Sequence, residues 1–273
     1  MPSKPRELYD AYVFDLDGTV VLGEALLPTV AETIGKLRAL RRRTLFLTNN
    51  PTSTPAEYAL ALTALGVPAV PDDIVTSALV LVDHLRTTSP AARLMVIGEA
   101  ALIRTLEEGG FEIVSDPRRT DVLIASFDRS FDYAKLQAAF DAVRAGARFL
   151  ATNGDRYRPT PEGGQPDAAA VIAAIEASSG RRCEQIVGKP SALTSRFLLD
   201  RLKLPSDRCL LVGDRLETDI AMALQAGMAA ALVLTGATTR AAASTSCIVP
   251  TYILDRLIDV LPQPQGPGRP PSK

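Results

Sequence analysis

Short apolar runs alternate with longer stretches of helical period along almost all of the 273 residues. AYVFDL (from Ala11), TLFLT (from Thr44), CLLVGD (from Cys209) and AALVLT (from Ala230) read as strands. Between and after them, helical patterns are predicted over residues 28–40, 54–65, 76–87, 191–202 and 218–225. A middle block repeats the rhythm with RLMVIG, FEIV, DVLIASF and ARFLATN, helices over 133–144 and 167–178, and EQIVG after them. Strand–helix alternation of this kind builds parallel sheets covered by helices, an α/β fold class. Ligands of such sheets bind beyond the C-terminal ends of the strands, where Asp15 and Asp214 close their apolar runs.

Composition narrows the functions available. A net charge of -1 and a pI near 6.0 argue against nucleic acid as a partner. Cys183, Cys209 and Cys247 lack paired ligand spacing, which argues against a disulfide framework or a zinc site and fits a reducing cytoplasm. No apolar window has the length of a signal peptide or a membrane span, so neither a membrane partner nor export is expected. The single histidine, His84, sits in a helical apolar pattern, so chemistry must run on carboxylates, lysine and backbone groups.

Four strand ends carry that chemistry. DLDGT sets Asp15 and Asp17 two residues apart, although burying two carboxylates together costs several kcal/mol unless something neutralises them. LTNN offers Thr48 and Asn49, VGKPS offers Lys189 before a proline that opens a helix, and VGDRLETD offers Asp214 and Asp219. Each is weak alone, but all four lie at strand-to-helix junctions in this order. Aspartates converging on one sheet edge suit a hard divalent cation, Mg2+ before others, and that ion with Lys189 would neutralise the pair.

DLDGT, TNN, GKP and GDxxxTDI together resemble the motifs of the haloacid dehalogenase (HAD) phosphatases, across nearly the whole chain. They are most similar to the subclass IIA branch of NagD-, AraL- and 4-nitrophenyl phosphatase-like proteins. The resemblance implies a Rossmann-like core sheet with an inserted α/β cap of the C2 type. The core would comprise residues 1–77 and 184–261, the cap residues 78–183, and the Pro/Gly-rich tail at 262–273 would be disordered. It further implies that Asp15 attacks phosphorus and that Asp17 protonates the leaving alcohol and then activates water. Asp15, the Asp17 carbonyl and Asp214 would hold magnesium, with Asp219 orienting its waters. Thr48 and Asn49 would bind phosphate oxygens, Lys189 would neutralise phosphate and Asp15, and Gly18 would let the backbone approach the phosphate.

The cap should then choose the substrate, a small phosphorylated metabolite. Its expected reading surface is a Gly/Pro-rich loop carrying Arg156, Arg158 and Asp167, although Asp167 before three alanines equally suits a helix N-cap. Two cap segments depart from the branch, SFD at residues 126–128 and QPDAAA at 165–170. Caps of this branch often make dimer contacts, so a homodimer through the cap is a further expectation. The competing reading is a non-catalytic phosphate-binding or phospho-accepting regulatory protein on the same scaffold.

Overall fold

The structure, a computed structural model, describes residues 4–160 and 163–262. The expected disordered tail therefore lies outside the described residues, apart from Pro262. The chain opens with strand β1 (Ala11–Asp15), a hairpin of β2 (Val21–Leu22) and β3 (Ala25–Leu26), and helix α1 (Val30–Ala39). Strand β4 (Arg43–Thr48), α2 (Pro55–Ala64) and β5 (Ile74–Thr76) follow, and α3 (Ser77–Thr88) leads to a second layer. That layer contains β6 (Arg93–Ile97), α4 (Ala100–Glu108), β7 (Glu112–Ile113), β8 (Val122–Ala125), α5 (Tyr133–Arg144) and β9 (Arg148–Ala151). It continues through β10 (Tyr157–Thr160), β11 (Gly163–Pro166), α6 (Ala168–Ser179) and β12 (Gln185–Ile186). The chain then returns with α7 (Ala192–Leu202), β13 (Cys209–Gly213), α8 (Ala221–Gln225), β14 (Ala229–Val233), α9 (Arg240–Thr245) and β15 (Tyr252–Leu254).

Six strands form one parallel sheet in the order β15-β14-β13-β1-β4-β5, and five form another in the order β12-β9-β8-β6-β7. β1 lies centrally between β13 and β4, with Phe14 level with both Val212 and Phe46. All five of its residues are buried, as a strand covered on both faces requires. Asp15 is therefore carried into the interior by the strand that ends on it.

The cap limit expected at residue 183 falls short of the second sheet, whose last strand lies beyond it. β12 pairs in parallel with β9, and the ladder runs on through Val187 N–H to Ala151 and Gly188 N–H to Thr152. The second sheet thus ends one residue before Lys189, not at Cys183. A short apolar run has no signature for the sheet it will join, because neighbouring strands decide that. At the other limit, α3 belongs to both layers. It buries Ser77, Ala78, Val80, Leu81, Val82 and Leu85, too wide an arc for a helix covering one surface. Its Leu81 and Leu85 share one apolar cluster with Val13 and Leu45 of the first sheet and Leu94, Val122 and Ile124 of the second.

The stretch read as a Gly/Pro-rich loop contains a hairpin. β10 and β11 are antiparallel, with Pro159 opposite Gly164 and Tyr157 opposite Pro166. A two-stranded ribbon is all edge, so proline costs it no interior ladder bond, which is why the composition hid it. Among the described residues, no helix is long and apolar enough to cross a membrane.

Candidate active site

Helix-start chemistry places the side chains. Thr54 caps α2, taking a bond from Glu57 N–H while the Glu57 carboxylate takes one from Thr54 N–H, and Pro55 fills the first helical position. This holds the turn after β4, where Thr48 Oγ1 accepts from Asn50 N–H at 3.0 Å. Ser191 caps α7 just past a cis Lys189–Pro190 bond, and so anchors the segment carrying Lys189. After β13 the backbone makes a π-helical turn over Leu216–Ile220 before α8 begins, instead of the regular helix expected from 218. Such wide turns recur at functional sites, and this one carries Asp219.

Asp15, Asp214 and Asp219 converge, with one carboxylate oxygen from each lying within 4.8 Å of the others. Lys189 Nζ donates to Asp15 at 2.5 Å and to Asp219 at 2.7 Å, and all four residues are buried. Burial pushes the Asp15 carboxyl up, Lys189 pulls it down, and Asp219 and Asp214 push it up again, for a net rise. Burial and then Asp219 push Asp214 up to about 6. Burial alone would lower the Lys189 ammonium, but Asp15 and Asp219 outweigh it and hold it above its ordinary range.

The aspartate pair of DLDGT is divided by this arrangement: Asp15 is buried while Asp17 is exposed. Only one member needs neutralising in the interior, which removes most of the conflict posed by the sequence. Asp219, expected only to orient metal waters, instead joins the carboxylate cluster and is the second ion-pair partner of Lys189.

One lysine cannot balance three carboxylates, and Asp214 Oδ1 is buried without a hydrogen-bond partner. An oxygen cluster with net negative charge and an orphaned acceptor fits a hard divalent cation. The surrounding backbone is shaped to that carboxylate. Gly18 has φ +89°, and a Cβ there would lie 2.5 Å from Asp214 Oδ2. A Cβ on Gly236 would also strike the Asp214 carboxylate, and Ala237 N–H donates to Asp214 Oδ2 at 2.6 Å. Gly18, expected to give room to phosphate, therefore gives room to Asp214. The turn after β14, including Gly236, escaped the sequence reading because its part is played by backbone alone.

Asn49 also departs from expectation. Its Oδ1 accepts from Lys189 N–H at 2.7 Å, and its Nδ2 donates to the Lys189 carbonyl at 3.2 Å and to Asp155 at 3.0 Å. With every amide group engaged, the side chain positions Lys189 and is not free to bind phosphate. Thr48, whose oxygen accepts from Asn50 N–H, lies buried beside the Tyr58 hydroxyl.

The three cap residues lie near one another but take different parts. Asp167 caps α6, with Oδ1 accepting from Ala168 N–H at 2.5 Å and from Asn153 Nδ2 at 3.1 Å. Arg158 stacks on the Phe127 ring at 4.9 Å, and Arg129 also lies over that ring at 5.9 Å. Arg156 is exposed, and its carbonyl accepts from Asp167 N–H. Asp155, Asn153, Phe127 and Arg215 were missed. The segment ATNGD already held two of them, but nothing in its spacing says that it meets the core. The SFD departure has a local role, because Ser126 Oγ lies 2.7 Å from Thr152 Oγ1 in a buried polar chain.

Profiles described as "Haloacid dehalogenase-like hydrolase" and "HAD-hydrolase-like" match residues 12–112 and 186–260. Sugar-phosphatase AraL of Bacillus subtilis is 35% identical over 248 residues, covering 91% of this chain and 90% of that protein. The chain belongs to the HAD family. Within it, an acid sugar phosphatase of Staphylococcus epidermidis is 34% identical over 244 residues, covering 89% of this chain and 93% of that one. The solved p-nitrophenyl phosphatase of Archaeoglobus fulgidus superposes with a TM-score of 0.88 at 29% identity, covering 93% of this chain and 98% of that one. These relatives put the chain among the NagD-like HAD phosphatases, enzymes that hydrolyse phosphomonoesters, and nothing in them favours a non-catalytic regulator.

Proposed function

We propose that this HAD phosphatase hydrolyses small sugar phosphates with Mg2+ through an aspartyl-phosphate on Asp15. The carrying observation is the buried cluster of Asp15, Asp214 and Asp219 around Lys189, with the orphaned Asp214 Oδ1. Asp15, already held by Lys189, attacks phosphorus; the alcohol leaves with a proton from Asp17, which stands exposed at the strand end. Asp17 then takes a proton from water as that water opens the acyl phosphate. The Lys189 ammonium and the Thr48 hydroxyl oppose charge on the phosphoryl oxygens. Magnesium, held by the Asp15 and Asp214 carboxylates and the Asp17 carbonyl, would screen nucleophile from phosphate when bound.

Sugar phosphates are proposed from the printed activities of AraL and the acid sugar phosphatase. Arg158 on its Phe127 platform is the proposed reader of the substrate's non-phosphate part. The test is release of phosphate from 4-nitrophenyl phosphate and a panel of pentose and hexose phosphates, with and without magnesium. Magnesium-dependent release from both is expected. Release confined to non-sugar esters would overturn the substrate class, and no release at all would overturn the catalytic reading.

A further inference from the structure

A buried polar chain runs from the cap to the backbone of Lys189, and its proton donors can be assigned throughout. Thr152 donates to Asn153 Oδ1 at 2.8 Å, so Ser126 must be the donor in its bond to Thr152. Asn153 spends its two amide hydrogens on Asp155 Oδ2 at 3.0 Å and Asp167 Oδ1 at 3.1 Å. From the core, Asn49 spends its own on the same Asp155 oxygen and on the Lys189 carbonyl, at 3.0 and 3.2 Å. The other Asp155 oxygen lies 4.0 Å from Arg215 Nη1, on the residue after Asp214. Asp155 is thus a cap carboxylate held by two core loops, one gripping Lys189 and one carrying Asp214. Among the described residues, no hydrogen bond joins it to Asp15, Asp214 or the Lys189 ammonium.

The geometry points to Asp155 as a positioning residue through which docking of the cap sets the orientation of Lys189; the inference rests on the phosphatase reading above. An amide is planar, so its three hydrogen-bonding groups turn as one body. While Asp155 holds one Nδ2 hydrogen of Asn49, the other hydrogen and Oδ1 are aimed at the Lys189 carbonyl and N–H. Removing the carboxylate leaves that plane held by its two bonds to Lys189 alone, no longer tied to the cap, and loosens the backbone from which the ammonium reaches Asp15. Lys189 acts on the phosphoryl group common to all substrates, so the loss should fall on turnover and not on substrate choice.

The experiment compares Asp155→Ala and Asp155→Asn with the wild-type full chain, in magnesium, on 4-nitrophenyl phosphate and a hexose 6-phosphate. Asp155→Ala should lower kcat by about thirtyfold on both substrates, with KM held within about threefold. Asp155→Asn, whose carbonyl oxygen can still accept from Asn49 and Asn153, should recover to within about fivefold of wild type. Hydrogen exchange should quicken at residues 187–191 of the alanine variant while β6 and β8 keep their protection. Wild-type kcat in the alanine variant, a loss confined to KM, or losses differing by substrate would each overturn the proposal. An alanine variant that fails to fold, or an asparagine variant no better than alanine, would also overturn it by assigning Asp155 a purely structural part. If the wild-type chain releases no phosphate, the phosphatase reading falls on its own, and exchange at 187–191 alone decides the positioning role.

Discussion

Two carboxylate clusters, one in the core and one in the cap, are satisfied by different means. In the core, Asp15, Asp214 and Asp219 surround a single ammonium and leave Asp214 Oδ1 without a partner. In the cap, Asp155 and Asp167 take their hydrogen bonds from neutral amide donors of Asn153, Asn49 and the α6 backbone, with Arg215 4.0 Å from the other Asp155 oxygen. Amide donors close a network without adding charge, whereas an incomplete ionic cluster asks for a cation from outside. On the proposed function, the core cluster reacts and the cap cluster holds. Substitutions in the first should remove turnover directly, and those in the second should act by a smaller factor, through the placement of Lys189 or through stability.

The sharpest way to break this contrast is at the nucleophile. Asp15→Asn should cut turnover by at least about a thousandfold with the fold intact, since an amide of the same shape cannot attack phosphorus. Residual activity near wild type, in protein free of contaminating phosphatase, would remove Asp15 from the chemistry. Metal removal comes next. Chelation should abolish phosphate release reversibly, and calcium should fail to restore it because calcium takes more ligands at longer distances than magnesium. Full rate in excess chelator would mean that the core cluster closes itself, as the cap cluster does.

Smaller effects refine the comparison. Gly236→Ala puts a methyl group against the Asp214 carboxylate, so the magnesium concentration for half-maximal rate should rise by about tenfold. A magnesium titration with an unchanged midpoint would show that the turn after β14 can yield. The smallest effect is expected in the cap. Asp167→Ala removes the α6 N-cap and should cost about 1 kcal/mol of stability. It should also leave the ratio of kcat/KM values between substrates within about twofold of wild type. A thermal melt and a two-substrate assay check both; a shifted ratio would return Asp167 to the substrate.

Much of the core site was legible in the chain. Asp15 ends β1, and Asp214 and Asp219 follow β13 of the same parallel sheet, which sends such junctions to one edge, while Lys189 reaches them from the end of the second sheet. Periodicity also placed the helices: patterns over 54–65, 133–144 and 191–202 correspond to α2, α5 and α7. Motif order and periodicity survive in a linear code because they depend on neighbours a few residues away.

Tertiary structure decided what depends on partners far along the chain. Asn49 is 106 residues from Asp155 and 140 from Lys189, so no local pattern could reveal that its amide is spent on them. The same holds for β12, whose sheet was chosen by β9, and for Gly236, required by a carboxylate on another strand. Residue types and their order along the chain determined which chemistry this protein carries. Only packing decided which carboxylates would share the Lys189 ammonium and which would share amides, because hydrogen bonds and ion pairs are set by distances that exist once the two sheets close around α3.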